Sequence, residues 1–115
     1  MKHIVLWMVI WCIGLTAAAE HPYRSPFDVA YSPDGKMLAI SDRTAGVLTL
    51  VDPGAGRVIR HIALEGEPTG IAWSADNPFV YVAEYNASSV AEIDPQAGLV
   101  IRRFAVGLRP IGVAV

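Results

Sequence analysis

Cysteine is nearly absent. The one cysteine, Cys12, lies in an apolar N-terminal segment, so the chain after it can form neither a disulfide nor a cysteine-based metal site. Charge is sparse as well, at 17% of residues with a net charge of -2. That balance gives no electrostatic footprint for nucleic acid or an anionic membrane surface. The histidines are His3, His21 and His61, too scattered to argue a Ser-His-acid trio. No C-x-x-C-H haem attachment, H-E-x-x-H pair, G-x-S-x-G elbow or phosphate loop is present. The motifs therefore imply no catalytic residue, no metal ligand and no cofactor. After Ser25 there is also no sustained 3.6-residue apolar period, which argues against helices.

The longest apolar run is at the start. Met1, Lys2 and His3 make a short basic opening, Ile4 to Leu15 is an unbroken apolar run, and Ala17-Ala18-Ala19 follows. Basic start, apolar middle and small-residue end describe a secretory signal peptide over residues 1–19, with Glu20 as the new N-terminus. The run is shorter than the roughly 20 apolar residues of a stable membrane span. Trp11 before Cys12 is too bulky for a lipoprotein signal. Without Lys2 the exported chain carries 8 basic and 11 acidic residues, a charge of -3. Residues 20–25 are a polar lead-in punctuated by Pro22.

What is abundant is self-similarity. Residues 26–67 align with residues 68–109 without a gap, and thirteen positions are identical. These include Ala30/Ala72, Ser32/Ser74, Asp34/Asp76, Asp52/Asp94, Pro53/Pro95, Gly56/Gly98 and Arg60/Arg102. A third copy opens at Pro110 and reaches Val115. Repeats of this period indicate propellers or solenoids. Within each copy, short runs of Val, Ile and Leu are separated by Pro, Gly and Asp turns, the pattern of strands. The expected strands are 27–31, 37–41, 47–51 and 58–64, then 70–73, 79–83, 90–93 and 100–106.

Connections this short force an antiparallel meander. Both faces of the strands are largely apolar, so both need cover. Radial stacking of four-stranded sheets supplies it. The expected fold is all-β, a β-propeller with two four-stranded antiparallel blades (26–67 and 68–109) and the first strand of a third (110–115). A closed ring takes about four to eight blades. The chain is thus expected to be the N-terminal part of a longer propeller, or a short subunit that completes a ring by self-association.

The runs Pro68-Thr69-Gly70-Ile71-Ala72, Tyr81-Val82-Ala83, Ile93-Asp94-Pro95 and Pro110-Ile111-Gly112-Val113-Ala114 resemble the YVTN family of propeller repeats. That group includes YncE-like proteins and is related to the propellers of cytochrome d1-type and amine dehydrogenase subunits. The glycine-plus-apolar start also resembles NHL repeats. The first copy departs from the pattern at Leu38-Ala39-Ile40-Ser41 and at Asp28, where later copies have Gly70 and Gly112.

Comparison between copies locates candidate contacts. The turns after the first and third strands keep their chemistry; the loops after the second and fourth do not. Loops on a rigid scaffold carry function, so the divergent rim nominates Asp42, Arg43, Glu84, Tyr85, Asn86 and Arg109 for ligand or partner binding. Asp28 is a candidate for the central channel. The repeated turn aspartates are expected to cap their own backbone. His61, matched by Arg103, is expected at a solvent-facing edge, and Trp73 and Tyr31 in packing between blades. Three functions compete: a secreted or periplasmic binding or scaffold module, the front of a propeller oxidoreductase subunit, and a propeller lactonase. The expected partners are an unidentified protein or small molecule and the missing blades, not nucleic acid.

Overall fold

The computed structural model describes residues 24–115. The expected signal peptide over residues 1–19 and residues 20–23 of the lead-in, with Cys12 and His21, lie outside the described residues. The described chain is all-β. β1 (Pro26–Tyr31), β2 (Leu38–Asp42), β3 (Val47–Asp52) and β4 (Arg57–Ala63) form one sheet. β5 (Pro68–Trp73), β6 (Val80–Glu84), β7 (Ser89–Asp94) and β8 (Leu99–Ala105) form the other. Each is an antiparallel meander in sequential order, so each sequence repeat is one propeller blade.

The repeat extends to irregularities. β3 and β4 slip register between Leu50 and Val51, and β7 and β8 slip at the equivalent Glu92 and Ile93. A bulge strengthens local twist and bends the strand. Both third-to-fourth-strand turns close alike, with Gly56 N–H donating to Asp52 O and Gly98 N–H to Asp94 O, each at 2.9 Å.

The core lies between the blades. One face of the first blade contributes Ala39, Leu48, Leu50 and Ile62. The facing side of the second contributes Ile71, Val80, Val82, Ala91 and Ile93, with Trp73 packed against them. Burial of these side chains drives the blades together, and each fully buried Leu or Ile contributes about 1.5–3 kcal/mol. Polar stitches fix the register. Trp73 Nε1–H donates to Ala30 O at 3.0 Å, and Ser41 Oγ donates to Thr69 O at 2.6 Å.

The two outer faces stay open. Val29 and Tyr31 on the first blade are 56% and 62% exposed, whereas of their equivalents Ile71 is buried and Trp73 half-buried. Phe104 and Val106 are exposed at the far side of the second blade. Residues 110–115 form no strand, because no second strand of a third blade is present to pair with them. They nonetheless sit where that blade would begin: Gly70 N–H donates to Ile111 O at 2.7 Å.

Candidate rim site

In a meander the loops after β2, β4, β6 and β8 share one end of the blades, and all six rim candidates fall there. The structure divides them by burial. Asp42 and Glu84, at equivalent strand ends, are only 3% and 0% exposed. This corrects their nomination as surface contacts, for both carboxylates are consumed by holding loops. Asp42 Oδ1 accepts Ser25 N–H and Ala45 N–H, both at 3.0 Å, and Arg24 stands 3.5 Å from Oδ2. Burial pushes the Asp42 carboxyl up, but the Ala45 and Ser25 amides and Arg24 outweigh it and hold the net pKa below the ordinary value.

Glu84 does the same work with a longer reach. Its Oε2 accepts Glu65 N–H at 2.7 Å from the loop joining the blades, and its Oε1 accepts Ser89 Oγ–H at 2.8 Å. Arg103 Nε donates to Oε1 at 2.9 Å. Arg103 is itself held charged, its pKa raised chiefly by the bond to Glu84. In both copies the carboxylate ending the second strand ties down the chain that precedes its own blade.

Arg43, Tyr85, Asn86 and Arg109 remain at the surface. Arg43 Nε is 2.6 Å from Glu67 Oε2, and its guanidinium carbon lies 4.9 Å from the Tyr85 ring centroid. Arg109, at φ 55, brings a second guanidinium within 5.9 Å of the same ring. Tyr85 is positioned by its own N–H, which donates to Glu67 O at 2.9 Å. The sequence thus brings two arginines, one from each flanking loop, to one aromatic ring. Among the described residues Arg109 has no carboxylate within ion-pair range. Such an arrangement offers a planar cationic shelf. Asn86 packs against Gly66, where an added Cβ would meet the Ala87 nitrogen at 2.9 Å.

Asp28 does not line a channel freely. Its Oδ1 accepts Val29 N–H at 2.8 Å and its Oδ2 accepts Ile71 N–H at 2.9 Å. The carboxylate therefore bridges the innermost strands of the two blades. The turn aspartates cap as expected in three of four cases. Asp34 accepts Ser32 Oγ–H and Lys36 N–H, Asp52 accepts Ala55 N–H, and Asp94 accepts Gln96 and Ala97 N–H. At Asp76 the cap passes to Ser74 Oγ, which accepts the Asp76 and Asn77 amides. His61 is exposed, as expected, and bonds Thr49 Oγ1 at 2.9 Å. Among the described residues no three His, Cys, Asp or Glu side chains converge as a metal site.

A cluster on the open face of the second blade has no counterpart among these candidates. Glu92, 3% exposed, accepts Tyr81 O–H at 2.8 Å and Arg102 Nε–H at 3.1 Å. The Tyr81 bond is the main cause of the lowered Glu92 pKa, with Arg102 adding to it against the opposing effect of burial. The matching positions in the first copy, Ala39 and Leu50, are apolar cross-strand partners. Their paired change to Tyr81 and Glu92 was visible in the alignment and signals a contact. At the opposite end of the blades a cleft of about 310 Å³ is lined by Met37, Trp73, Pro33, Pro78, Lys36 and Gln96.

No family model matches the chain, and no curated protein matches it. Solved structures do. Hydrazine synthase of Kuenenia stuttgartiensis superposes with a TM-score of 0.73 at 33% identity, over 76% of this chain and 25% of that one. The periplasmic gluconolactonase of Pseudomonas aeruginosa gives 0.59 at 29% identity, over 77% of this chain and 28% of that one. A Bacteroides caccae protein of unknown function gives 0.59 at 16% identity, over 69% and 28%. The first two carry sequence likeness as well as shape; the third shows the fold alone. The chain spans roughly a quarter of the length of these proteins. It is two blades of a β-propeller.

Proposed function

We propose that the chain is the opening part of a longer YVTN-like propeller, exported to the periplasm or beyond, that works as a binding or scaffold module. The observation that carries this is the pair of open blade faces, with Val29 and Tyr31 uncovered on one and Phe104 on the other. A face that greasy is completed by another blade. The recognition surface is the rim formed by Arg43, Tyr85, Asn86 and Arg109, whose two guanidiniums over one ring suit an anionic or planar group. Export rests on the residue pattern of 1–19 and is in keeping with the periplasmic gluconolactonase among the similar structures.

Expression in a Gram-negative host, followed by fractionation and mass measurement, tests export. The expected product is periplasmic and begins at Glu20; a cytoplasmic product that keeps Met1 contradicts it. A second reading is favoured by the 33% identity to hydrazine synthase: the blades belong to a propeller subunit of an oxidoreductase. Sequence continuing past Val115 separates the two. Repeats alone support the module, and haem-attachment motifs support the oxidoreductase. A propeller lactonase, in line with the gluconolactonase likeness, predicts glucono-lactone hydrolysis by the completed ring.

A further inference from the structure

The fourth strands of the two blades, β4 and β8, carry arginines at equivalent places, Arg60 and Arg102, but these meet different surroundings. Arg60 crosses the gap between the blades and lies over Gly98 in the β7–β8 turn of the second blade; a Cβ on Gly98 would collide with its guanidinium. No hydrogen-bond partner is present for the buried Arg60 Nε among the described residues, so its placement comes from packing against that turn. Gly56, the equivalent glycine of the first blade, has nothing within 4 Å of where a Cβ would sit. It is an empty seat on the open face. Arg102 is the opposite half: 63% exposed, it is held by Glu92 through Nε and by Phe104, whose ring centroid lies 4.9 Å from its guanidinium carbon. The two open faces thus carry the two halves of the contact already made inside the chain.

The occupant of the second blade's face is indicated by residues 110–115. Gly70 N–H bonds Ile111 O, and Thr69 Oγ1 reaches Pro110 O at 3.3 Å. A Cβ at Gly70 would lie 2.5 Å from Ile111 O and 2.8 Å from Gly112 Cα. The innermost place is therefore taken by this chain's own third repeat, and a second copy's β1 would have to displace it. Resting on the ring reading above, we propose that Arg102 is the docking hook for a third blade of the same repeat. That blade has residues 110–115 as its first strand and presents the glycine of the turn between its third and fourth strands beneath the Arg102 guanidinium.

The test extends the full chain by its own strands. Residues 74–109 are appended after Val115, giving 110–115 the second, third and fourth strands they lack. In this extended chain, Arg102→Met and Gly→Asn at the appended copy of Gly98 form a double-mutant cycle. Asn accepts the left-handed conformation of that turn, and the cost of leaving Glu92 without Arg102 cancels in the cycle. The expected coupling is about fivefold in the unfolding equilibrium, the scale of one packed contact. Arg60→Met with Gly98→Asn in the 115-residue chain should give coupling of the same sign. Additive effects at Arg102 beside a steeper, protected unfolding transition overturn the hook and leave the ring reading standing. Appended strands that stay protease-sensitive overturn both. Self-association of the 115-residue chain that Gly56→Asn abolishes overturns the choice of occupant, since the face would then belong to a second copy.

Discussion

Single side chains hold the blades in register, and each gives a measurable cost. Trp73→Phe keeps the ring packing but removes the donor to Ala30 O; unfolding free energy should fall by about 1 kcal/mol, read from urea midpoints. Arg103→Ala leaves the buried Glu84 carboxylate without its counter-ion. The loss should be about 2–3 kcal/mol, at the lower end for such pairs because the Arg103 side chain is 31% exposed. Asp42 and Glu92 both have pKa values below the ordinary carboxylate range. Their stabilisation is in full force above the unfolded values near pH 4 and is lost as pH falls through the lowered folded values. An acid titration of stability should therefore be flat from neutrality down to about pH 4 and drop below it. The residue scale was the least legible in the sequence. Asp42 and Glu84 differ between copies, which nominates them as rim contacts; both are instead taken up by loop amides, and Arg103, the partner of Glu84, meets it only once the strands are aligned.

The elements were legible because two copies report the same turns. The gap-free alignment, the repeated Asp-Pro-x-Ala-Gly turns and the apolar runs placed all eight strands within a residue or two of their observed ends. Residues 110–115 differ: their sequence is strand-like, but a strand needs a ladder, and that hydrogen-bonding partner is missing. The loop after the second strand shows where one copy is less well adapted. Gly46 takes φ 68 without cost, whereas the equivalent Ser88 is held at φ 52. Ser88→Gly should stabilise the chain by about 0.5–1 kcal/mol, the left-handed penalty less the added freedom of unfolded glycine. Gly70 works the other way. Gly70→Val should unseat residues 110–115, which hydrogen exchange would record as faster exchange of the Gly70 region with little change in the first blade.

At the scale of the whole molecule, the central claim is that two repeats share one core and leave an open face on either side. Leu50, fully buried in the first blade, and Trp73 of the second both belong to that interface. Leu50→Ala removes packing on one side of it and should cost about 2–5 kcal/mol. In the chain beginning at Glu20, Trp73 is the lone tryptophan and reports from the other side. The decisive measurement is urea unfolding of Leu50→Ala followed by Trp73 fluorescence and far-ultraviolet circular dichroism together. Coincident transitions, both moved to lower urea, are the expected result; a Trp73 transition left where the unsubstituted chain has it would mean that the blades fold independently and share no core.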